Sequence, residues 1–245
     1  METVKKMSAM EPGFYNMDCM DAMKEFPDGF FDLAIVDPPY GIGADNFNNG
    51  SGAKKDKVKY GTAVRCRKNR PNQGAGKLKN RLLNQSDCSW DVEPPKQEYF
   101  DELIRVSRNQ IIWGGNYFPL PPTRCVIAWD KQQPWDNFSQ FELAWTSYDK
   151  PAAIFRMGNT RSGKIHPTQK PIELYQWLLK KFSKPGDKIL DTHVGSASSL
   201  IAFHRAGLEY WGFEIDPVYY EKARERLERE TAQVNLMDII NGGMT

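Results

Sequence analysis

Residues 31–40 read Phe31-Asp32-Leu33-Ala34-Ile35-Val36-Asp37-Pro38-Pro39-Tyr40. The apolar run from Phe31 to Val36 has the length and composition of a buried β-strand, and the proline pair that follows ends it. In open α/β sheets, ligands bind outside the carboxyl ends of the strands. The stretch therefore predicts a strand of such a sheet and, at residues 37–40, a ligand-binding turn.

The residue types in this turn suit a planar amine. Asp37 and the Pro38 carbonyl can accept hydrogen bonds from the amine, while the Tyr40 ring stacks on the ring that carries it. Proline has no N–H group and a fixed φ, so Pro38 and Pro39 bring no competing donor. The alternative interpretation of the same residues is a loop with a proline stop and a buried tyrosine.

A second predicted strand end lies near the carboxyl terminus. Residues 188–190 and 210–213 are predicted strands, and between them a turn from Asp191 to Ser198 leads into a helix. Gly195 lets the backbone approach a ligand closely, and the amino terminus of the helix offers free N–H groups. Glu214 is placed to accept hydrogen bonds from both ribose hydroxyls.

One glycine is few for a pyrophosphate-binding turn, so this strand end predicts a nucleoside ligand rather than a dinucleotide. Many such turns bind nothing, and that is the alternative. Asp216 is predicted to have a structural role, capping the helix that Pro217 opens.

The composition of the 245-residue chain favours one α/β domain with an insertion. Its four cysteines form no C-x-x-C pair, which is typical of a reducing cytosol and argues against a disulfide framework or a zinc site. No apolar run reaches the length of a membrane span, and residues 1–12 lack a signal-peptide core. We expect a cytoplasmic protein without membrane association or metal.

The charge is unevenly distributed. Residues 54–81 contain eleven Lys or Arg residues and one acid, a net charge of +10, whereas the whole chain carries +2, so the remainder sums to −8. A basic segment on an acidic body is typical of a polyanion-binding loop. Residues 41–90 are rich in Gly, Asn and Lys and lack a regular period, which indicates a basic mobile insertion. A surface insertion with no partner is the alternative.

Strands alternate with helices along the rest of the chain. The hydrophobic period predicts strands at residues 14–15, 110–113, 125–129, 141–145 and 153–155, and helices at residues 20–26, 95–108, 171–182, 197–205 and 217–230. This alternation favours an α/β fold with a doubly wound, Rossmann-like, mostly parallel sheet and helices on both faces. We expect one domain over residues 1–245, with the turns at 37–40 and 191–198 facing one cleft.

Five ordered stretches resemble the β group of DNA amino-methyltransferases, which use S-adenosylmethionine to methylate exocyclic amines of adenine or cytosine. They are Asp32 to Tyr40, Ile112-Trp113-Gly114-Gly115-Asn116-Tyr117-Phe118, His166-Pro167-Thr168-Gln169-Lys170-Pro171, Asp191 to Ser199, and Gly212-Phe213-Glu214-Ile215-Asp216. The catalytic turn precedes the cofactor turn, which is the circularly permuted order of this group. The resemblance covers nearly the whole chain except residues 41–90 and implies a single catalytic domain.

The resemblance implies that ten residues bind S-adenosylmethionine. Glu214 holds the ribose, and Asp18 reaches the adenine ring or the methionine amine. Thr168 and Lys170 border the methionine end, and His193 packs beside the methionine moiety instead of acting as a base. The full set is Asp18, Thr168, Lys170, Asp191, His193, Gly195, Ser196, Ala197, Ser198 and Glu214.

The cofactor turn departs from the D-P-F-x-G-S-G-T-T pattern that is usual in the family. Thr192 and His193 replace Pro and Phe, Ala197 replaces the second Gly, and Ser198-Ser199 replaces the Thr pair. Serine keeps a hydroxyl group and alanine is small, so the altered turn remains compatible with cofactor binding. The departure motivates one rival interpretation, a non-catalytic nucleic-acid-binding module with a degenerate cofactor site.

The predicted chemistry starts from a weak nucleophile, because the lone pair of an adenine amine is delocalised into the ring. By resemblance, Asp37, Pro38, Pro39 and Tyr40 are the catalytic residues. Asp37 and the Pro38 carbonyl accept the amine hydrogens, and Tyr40 stacks on a base flipped out of double-stranded DNA. Aspartate in the first position is typical of adenine N6 enzymes and serine of cytosine N4 enzymes. Adenine N6 is therefore predicted, with cytosine N4 as the alternative.

Two segments are predicted to contact DNA. The run 54–81 supplies charge for the phosphates, and the aromatic-rich segment 131–165 is a candidate target-recognition segment. Methylation of RNA or of a protein glutamine amide is a further alternative, since related enzymes use Pro-Pro-Tyr turns. The family includes monomers and homodimers, and a restriction endonuclease is a candidate partner.

Overall fold

A computed structural model of the chain describes residues 10–41, 91, 93–133, 139–158, 164–166 and 168–242, together with residues 59–60 and 63–64. For residues 59–60, 63–64 and 233–242 it describes the backbone only. The predicted insertion 41–90 and the run 54–81 therefore lie almost entirely outside the described residues. Parts of the segment 131–165, residues 134–138 and 159–163, do so as well.

The described residues form ten strands and five α-helices. The strands are β1 Gly13–Asn16, β2 Leu33–Val36, β3 Lys59–Tyr60, β4 Ala63–Val64, β5 Gln110–Trp113, β6 Ile127–Asp130, β7 Phe141–Thr146, β8 Ala153–Arg156, β9 Lys188–Asp191 and β10 Glu209–Glu214. The helices are α1 Cys19–Met23, α2 Gln97–Val106, α3 Ile172–Phe182, α4 Ser198–Arg205 and α5 Pro217–Gly242. A single 3₁₀ turn, Gly115–Tyr117, follows β5.

Eight of these strands form one mixed sheet in the order β1-β10-β9-β2-β5-β7-β6-β8. The first five strands in this order are mutually parallel. Strand β7 runs antiparallel to both of its neighbours, and β8 is parallel to β6. The short strands β3 and β4 pair only with each other. The mostly parallel sheet predicted from the sequence is confirmed.

Helices cover both faces of this sheet. In β2, Leu33 and Ile35 pack into the core that contains α3 and α4. Ala34 and Val36 point the opposite way, into the core that contains α1 and α2. All four residues are buried, which explains why the strand reads as an unbroken apolar run and not as an alternating one. The doubly wound, Rossmann-like arrangement is confirmed.

Most element boundaries differ from the predictions by one or two residues, and three of the differences are described here. Helix α1 ends at Met23, not residue 26, because the chain turns there and the Phe26 N–H donates to the Met23 carbonyl at 3.1 Å. Strand β6 is residues 127–130, not 125–129, because the Cys125 N–H donates to the Thr123 hydroxyl oxygen and not to a neighbouring strand. The last helix continues to residue 242, well past 230.

Neighbouring parallel strands place the two predicted sites side by side. Strand β2 pairs with β9 through Leu33↔Ile189 and Ala34↔Leu190, and β9 pairs with β10. Because parallel strands end at the same sheet edge, the turns after β2, β9 and β10 lie together. The predicted shared cleft is confirmed. None of the described helices combines the length and apolar character needed to cross a membrane.

Candidate active site

Both oxygens of the Asp37 carboxylate are engaged by side chains. The Tyr40 hydroxyl donates to Oδ1 at 2.6 Å, and the Lys170 ammonium donates to Oδ2. Lys170 Nζ also lies 3.4 Å from the Tyr40 hydroxyl oxygen. Asp37 follows the last residue of β2, so these two contacts orient the carboxylate at the carboxyl end of the strand.

Lys170 is almost completely buried, with 3% of its surface exposed. Its Nζ lies 3.2 Å from Glu142 Oε2, and Glu142 in turn forms a salt bridge with Lys131. Burial disfavours the ammonium, but the carboxylates of Asp37 and Glu142 outweigh burial and raise the pKa of Lys170. Burial likewise disfavours the Glu142 carboxylate, yet Lys170 and Lys131 lower its pKa. Lys131, Glu142, Lys170 and Asp37 therefore form a series of buried or half-buried charges of alternating sign that ends at the Asp37 carboxylate.

The Tyr40 ring is held on two sides. It stacks on Tyr117 with ring centroids 5.0 Å apart and planes inclined by 15°. On another side lies Gly114, with φ +72°, where an added Cβ would come within 2.2 Å of Tyr40 Cε1. Burial and the nearby Asp37 raise the Tyr40 pKa well above its ordinary value, so the hydroxyl remains a donor. Tyr117 is 40% exposed and was not predicted to belong to the site.

A cavity of about 500 Å³ borders this turn. Predicted site residues on its wall are Asp18, Pro39, His193 and Glu214. Thus a catalytic-turn residue and three predicted cofactor residues share one space. Its volume lies within the range of small-molecule sites.

The sequence reasoning missed part of the cavity wall. Most of the missed residues lie at or just before the starts of α1 and α2: Met17, Cys19, Met20, Glu93, Pro95, Lys96, Glu98 and Tyr99. Thr192 and Ile215, which are next to the predicted residues His193 and Glu214 in the chain, were missed as well. The Tyr99 hydroxyl lies 2.6 Å from Thr192 Oγ1, which ties α2 to the cofactor turn. The sequence carries no signal for this contact between residues so distant in the chain.

Glu214 is anchored by the backbone. Its Oε2 accepts the Gly195 N–H and its Oε1 accepts the Asp216 N–H, both at 2.9 Å. Burial outweighs these hydrogen bonds and raises the Glu214 pKa to about 6. Asp216 caps α5, accepting from Val218 N at 2.8 Å, so the predicted structural role of Asp216 is confirmed.

Asp191 is buried beneath the cofactor turn and accepts hydrogen bonds from the Ser199 hydroxyl and the His193 N–H. Burial raises the Asp191 pKa to about 7. The His193 ring, with Nδ1 2.9 Å from Thr192 Oγ1, has its pKa lowered by burial to about 4. A neutral ring on the cavity wall is compatible with the predicted packing role.

The other predicted cofactor residues do not line the cavity. Ser196 and Ser198 are buried under the turn, where Arg226 donates to the Ser196 carbonyl at 2.6 Å and to Ser198 Oγ at 2.9 Å. Ala197 adopts a left-handed conformation with φ +60° at the start of α4. Thr168 is exposed and contacts His166.

Comparison with known proteins gives consistent results. Residues 112–225 match the family described as DNA methylase. The Type II methyltransferase M2.DpnII of Streptococcus pneumoniae is 40% identical over 150 residues, which are 61% of this chain and 52% of that protein. The DNA adenine methyltransferase YhdJ of Escherichia coli (strain K12) is 23% identical over 242 residues, covering 86% of this chain and 81% of that one.

A solved structure shares the fold. The PvuII DNA methyltransferase, described as cytosine-N4-specific, superposes with a TM-score of 0.53 at 15% identity over 96% of each chain. The ordered motifs and the doubly wound sheet agree with these likenesses, and residues 112–225 are the part of the chain that matches the DNA methylase family.

Proposed function

We propose that the protein transfers a methyl group from S-adenosylmethionine to the exocyclic N6 amine of adenine in double-stranded DNA. One observation carries the proposal. The Asp37–Tyr40 turn and Glu214 lie at the carboxyl ends of strands that reach the same edge of the sheet, and Pro39 and Glu214 line the same cavity. This arrangement supports a nucleoside cofactor bound directly beside an acceptor for an amine.

On the cofactor side, Glu214 accepts hydrogen bonds from the ribose hydroxyls. The Gly195 and Asp216 N–H groups hold this carboxylate in place, so its remaining lone pairs are available to a ligand. The His193 ring packs against the cofactor, and Asp18, which lines the same cavity, accepts a hydrogen bond from a cofactor amine. When bound, S-adenosylmethionine supplies an electrophilic methyl group on its sulfonium.

On the substrate side, Asp37 and the Pro38 carbonyl accept the two amine hydrogens. Acceptors in these positions favour a tetrahedral nitrogen and stabilise the positive charge that develops on it as the new bond forms. Tyr40 orients Asp37 through its hydroxyl, and by family resemblance its ring stacks on the flipped base, in the place that Tyr117 occupies in this structure. The residues on both sides of the cleft hold the reacting atoms in line, which removes much of the entropic cost of the reaction.

The choice of adenine rests on Asp37, since aspartate in this position is typical of adenine enzymes by family resemblance. The relative YhdJ, named a DNA adenine methyltransferase, is in agreement. Cytosine N4 is the second candidate, because the matching family is named for both amines.

Nucleoside analysis of methylated DNA tests the proposal. The protein is incubated with S-adenosylmethionine and mixed-sequence DNA, the DNA is digested to nucleosides, and methylated nucleosides are identified by mass. We expect N6-methyladenine, and we expect Asp37→Ala to form it at least about a hundredfold more slowly. N4-methylcytosine as the only product would establish the second candidate, and no methylation by a protein that binds the cofactor would contradict both.

We also propose that the run 54–81 neutralises DNA phosphates. Replacing Lys54, Lys55 and Lys57 by Gln should weaken DNA binding uniformly across sequences and reduce the salt slope by about one per lost phosphate contact. Lys180→Gln, on the exposed side of α3, is the matched control. An unchanged slope in the triple variant would remove this segment from the DNA interface.

A further inference from the structure

We propose that Glu142 is a positioning residue for methyl transfer, which draws the Lys170 ammonium away from Asp37 when the substrate amine arrives. The inference rests on the proposed role of Asp37 as acceptor of that amine. Glu142 lies on β7, opposite Trp129 of β6, and belongs to none of the motifs that identify the family.

The starting point is competition for one carboxylate oxygen. Lys170 donates to Asp37 Oδ2, while Tyr40 occupies Oδ1. A carboxylate that is hydrogen-bonded to an ammonium is a poorer acceptor for an amine and stabilises less of the positive charge developing there. Productive binding of the amine therefore requires Lys170 to release Oδ2.

A buried ammonium leaves one carboxylate only if another anion receives it, since an unpaired buried charge costs several kcal/mol. In the part of the chain that the structure describes, the salt bridges of Lys170 are to Asp37 and Glu142. Glu142 Oε2 is already within 3.2 Å of Nζ. An ammonium has three donors, so shifting its hydrogen bonding from Asp37 to Glu142 needs only a small displacement.

Two further contacts keep that displacement short and directed. Lys131 binds the other oxygen of Glu142, which leaves Oε2 facing Lys170. Lys170 Nζ lies 5.3 Å from the centroid of the Trp113 ring and 5.9 Å from that of Tyr40. The ammonium therefore remains in contact with aromatic faces that favour a cation.

The decisive test is a double-mutant cycle. Glu142→Gln removes the receiving charge, and we expect kcat to fall about tenfold while cofactor affinity is unchanged, because Glu142 does not line the cavity. In a Lys170→Met background, Glu142→Gln should have almost no effect on kcat, because no ammonium remains to be moved. Glu173→Gln, an exposed glutamate at the start of α3, serves as the matched control.

Calorimetric titration with S-adenosylmethionine verifies that each variant is folded. If Glu142→Gln lowers kcat equally with Lys170 and with Met at that position, Glu142 acts independently of Lys170 and the inference is wrong. The inference is also wrong if Glu142→Gln leaves kcat unchanged. Asp37→Ala is measured in parallel. Methylation by that variant at an unchanged rate would reject the proposed function itself, whereas a large loss of rate leaves the cycle as a test of Glu142 alone.

Discussion

Two turns at the same sheet edge hold their acids by different means. Asp37, after β2, is paired with a buried cation, Lys170, which is itself paired with a second acid. Asp191 and Glu214, at the ends of β9 and β10, accept hydrogen bonds from N–H and hydroxyl groups instead. The turn at Asp37 is thus held by salt bridges, whereas the acids at the ends of β9 and β10 are held by hydrogen bonds.

The difference has a consequence for pH dependence. Neutral donors stabilise a carboxylate less than a cation does, so burial prevails at the cofactor turn and raises the pKa of Glu214 to about 6 and that of Asp191 to about 7. The cofactor end of the cleft should therefore titrate near neutral pH. Substitutions at Asp37 should accordingly change the rate of methyl transfer, and substitutions at Glu214 should change cofactor affinity and its pH dependence.

Asp37→Ala should have the most severe consequence. Loss of the acceptor should raise the barrier to methyl transfer by about 3 kcal/mol or more, as for other preorganised electrostatic groups. Cofactor affinity should stay unchanged, because Asp37 does not line the cavity. Single-turnover kinetics and calorimetric titration measure the two quantities. Asp149→Ala, at an exposed site, is the control. An equal loss of methyl-transfer rate in both variants would contradict the role of Asp37 as the amine acceptor.

Gly114→Ala should have the second-largest effect, because the added Cβ would displace Tyr40. The added Cβ meets Tyr40 at 2.2 Å at a φ of +72°, so strain and overpacking add to a loss of about 2–4 kcal/mol in unfolding free energy. Methylation should fall as Tyr40 is displaced.

Gly207→Ala is the matched control for this variant. Gly207 has φ +67°, and nothing lies within 4 Å of its added Cβ. Strain alone should cost about 1–2 kcal/mol there and spare activity. Denaturant unfolding compares the two variants. Equal destabilisation would mean that the contact of Gly114 with Tyr40 is unimportant.

The cofactor turn should respond to pH in two opposite ways. The folded protein binds the Glu214 proton with a pKa of about 6, compared with an ordinary value of 4.5. Stability from this group is therefore complete below about pH 4.5 and is lost as the pH rises through 6. Asp191 behaves likewise between 3.8 and about 7. In the proposed function the ionised Glu214 accepts hydrogen bonds from the ribose, so cofactor affinity should rise over the same range.

Thermal unfolding and calorimetry across roughly pH 5 to 8 test this opposition. Glu214→Gln should weaken cofactor binding by about 2 kcal/mol, the worth of hydrogen bonds to a charged group. It should also abolish the rise in affinity near pH 6. An unchanged rise in that variant would show that another group controls binding.

Asp216→Ala should be the mildest of these changes, although Asp216 is only two residues from Glu214. The Asp216 carboxylate caps α5 through Val218 N at 2.8 Å and Tyr219 N at 3.2 Å, so its loss should cost about 1 kcal/mol of stability. Cofactor affinity should change little, because Glu214 is held by the Asp216 backbone N–H. A loss of affinity as large as that of Glu214→Gln would place Asp216 in the binding site.

Much of the fold could be predicted because it depends on near neighbours in the chain. Strand β5 was predicted with both ends correct, since its apolar run is bounded by Gly114 and by polar residues. Helix ends were less accurate. Helix α1 ends early because of a local turn, and α5, which has little amphipathic character over its whole length, continues past residue 230.

The candidate site was predictable only in part. The strand-end acids Asp37 and Glu214 follow apolar runs, and that local signal predicted both at one edge of the sheet. Lys170 was expected at the cofactor by resemblance, but in the fold it contacts Asp37, 133 residues earlier in the chain. The buried Tyr99 and the exposed Tyr117 carry no local signal that distinguishes them from the other aromatic residues of the chain.

The order of amino acids was enough to predict most of the strands and helices and the acids at the strand ends, and these residues led to the proposed amine-binding and nucleoside-binding turns. These depend on burial periodicity and turn chemistry, which act over a few residues. The charges that face Asp37 were set by three-dimensional packing instead. Strand order and the packing of α3 bring Lys170 and Glu142 together, and an ion pair between distant residues leaves no pattern in the chain.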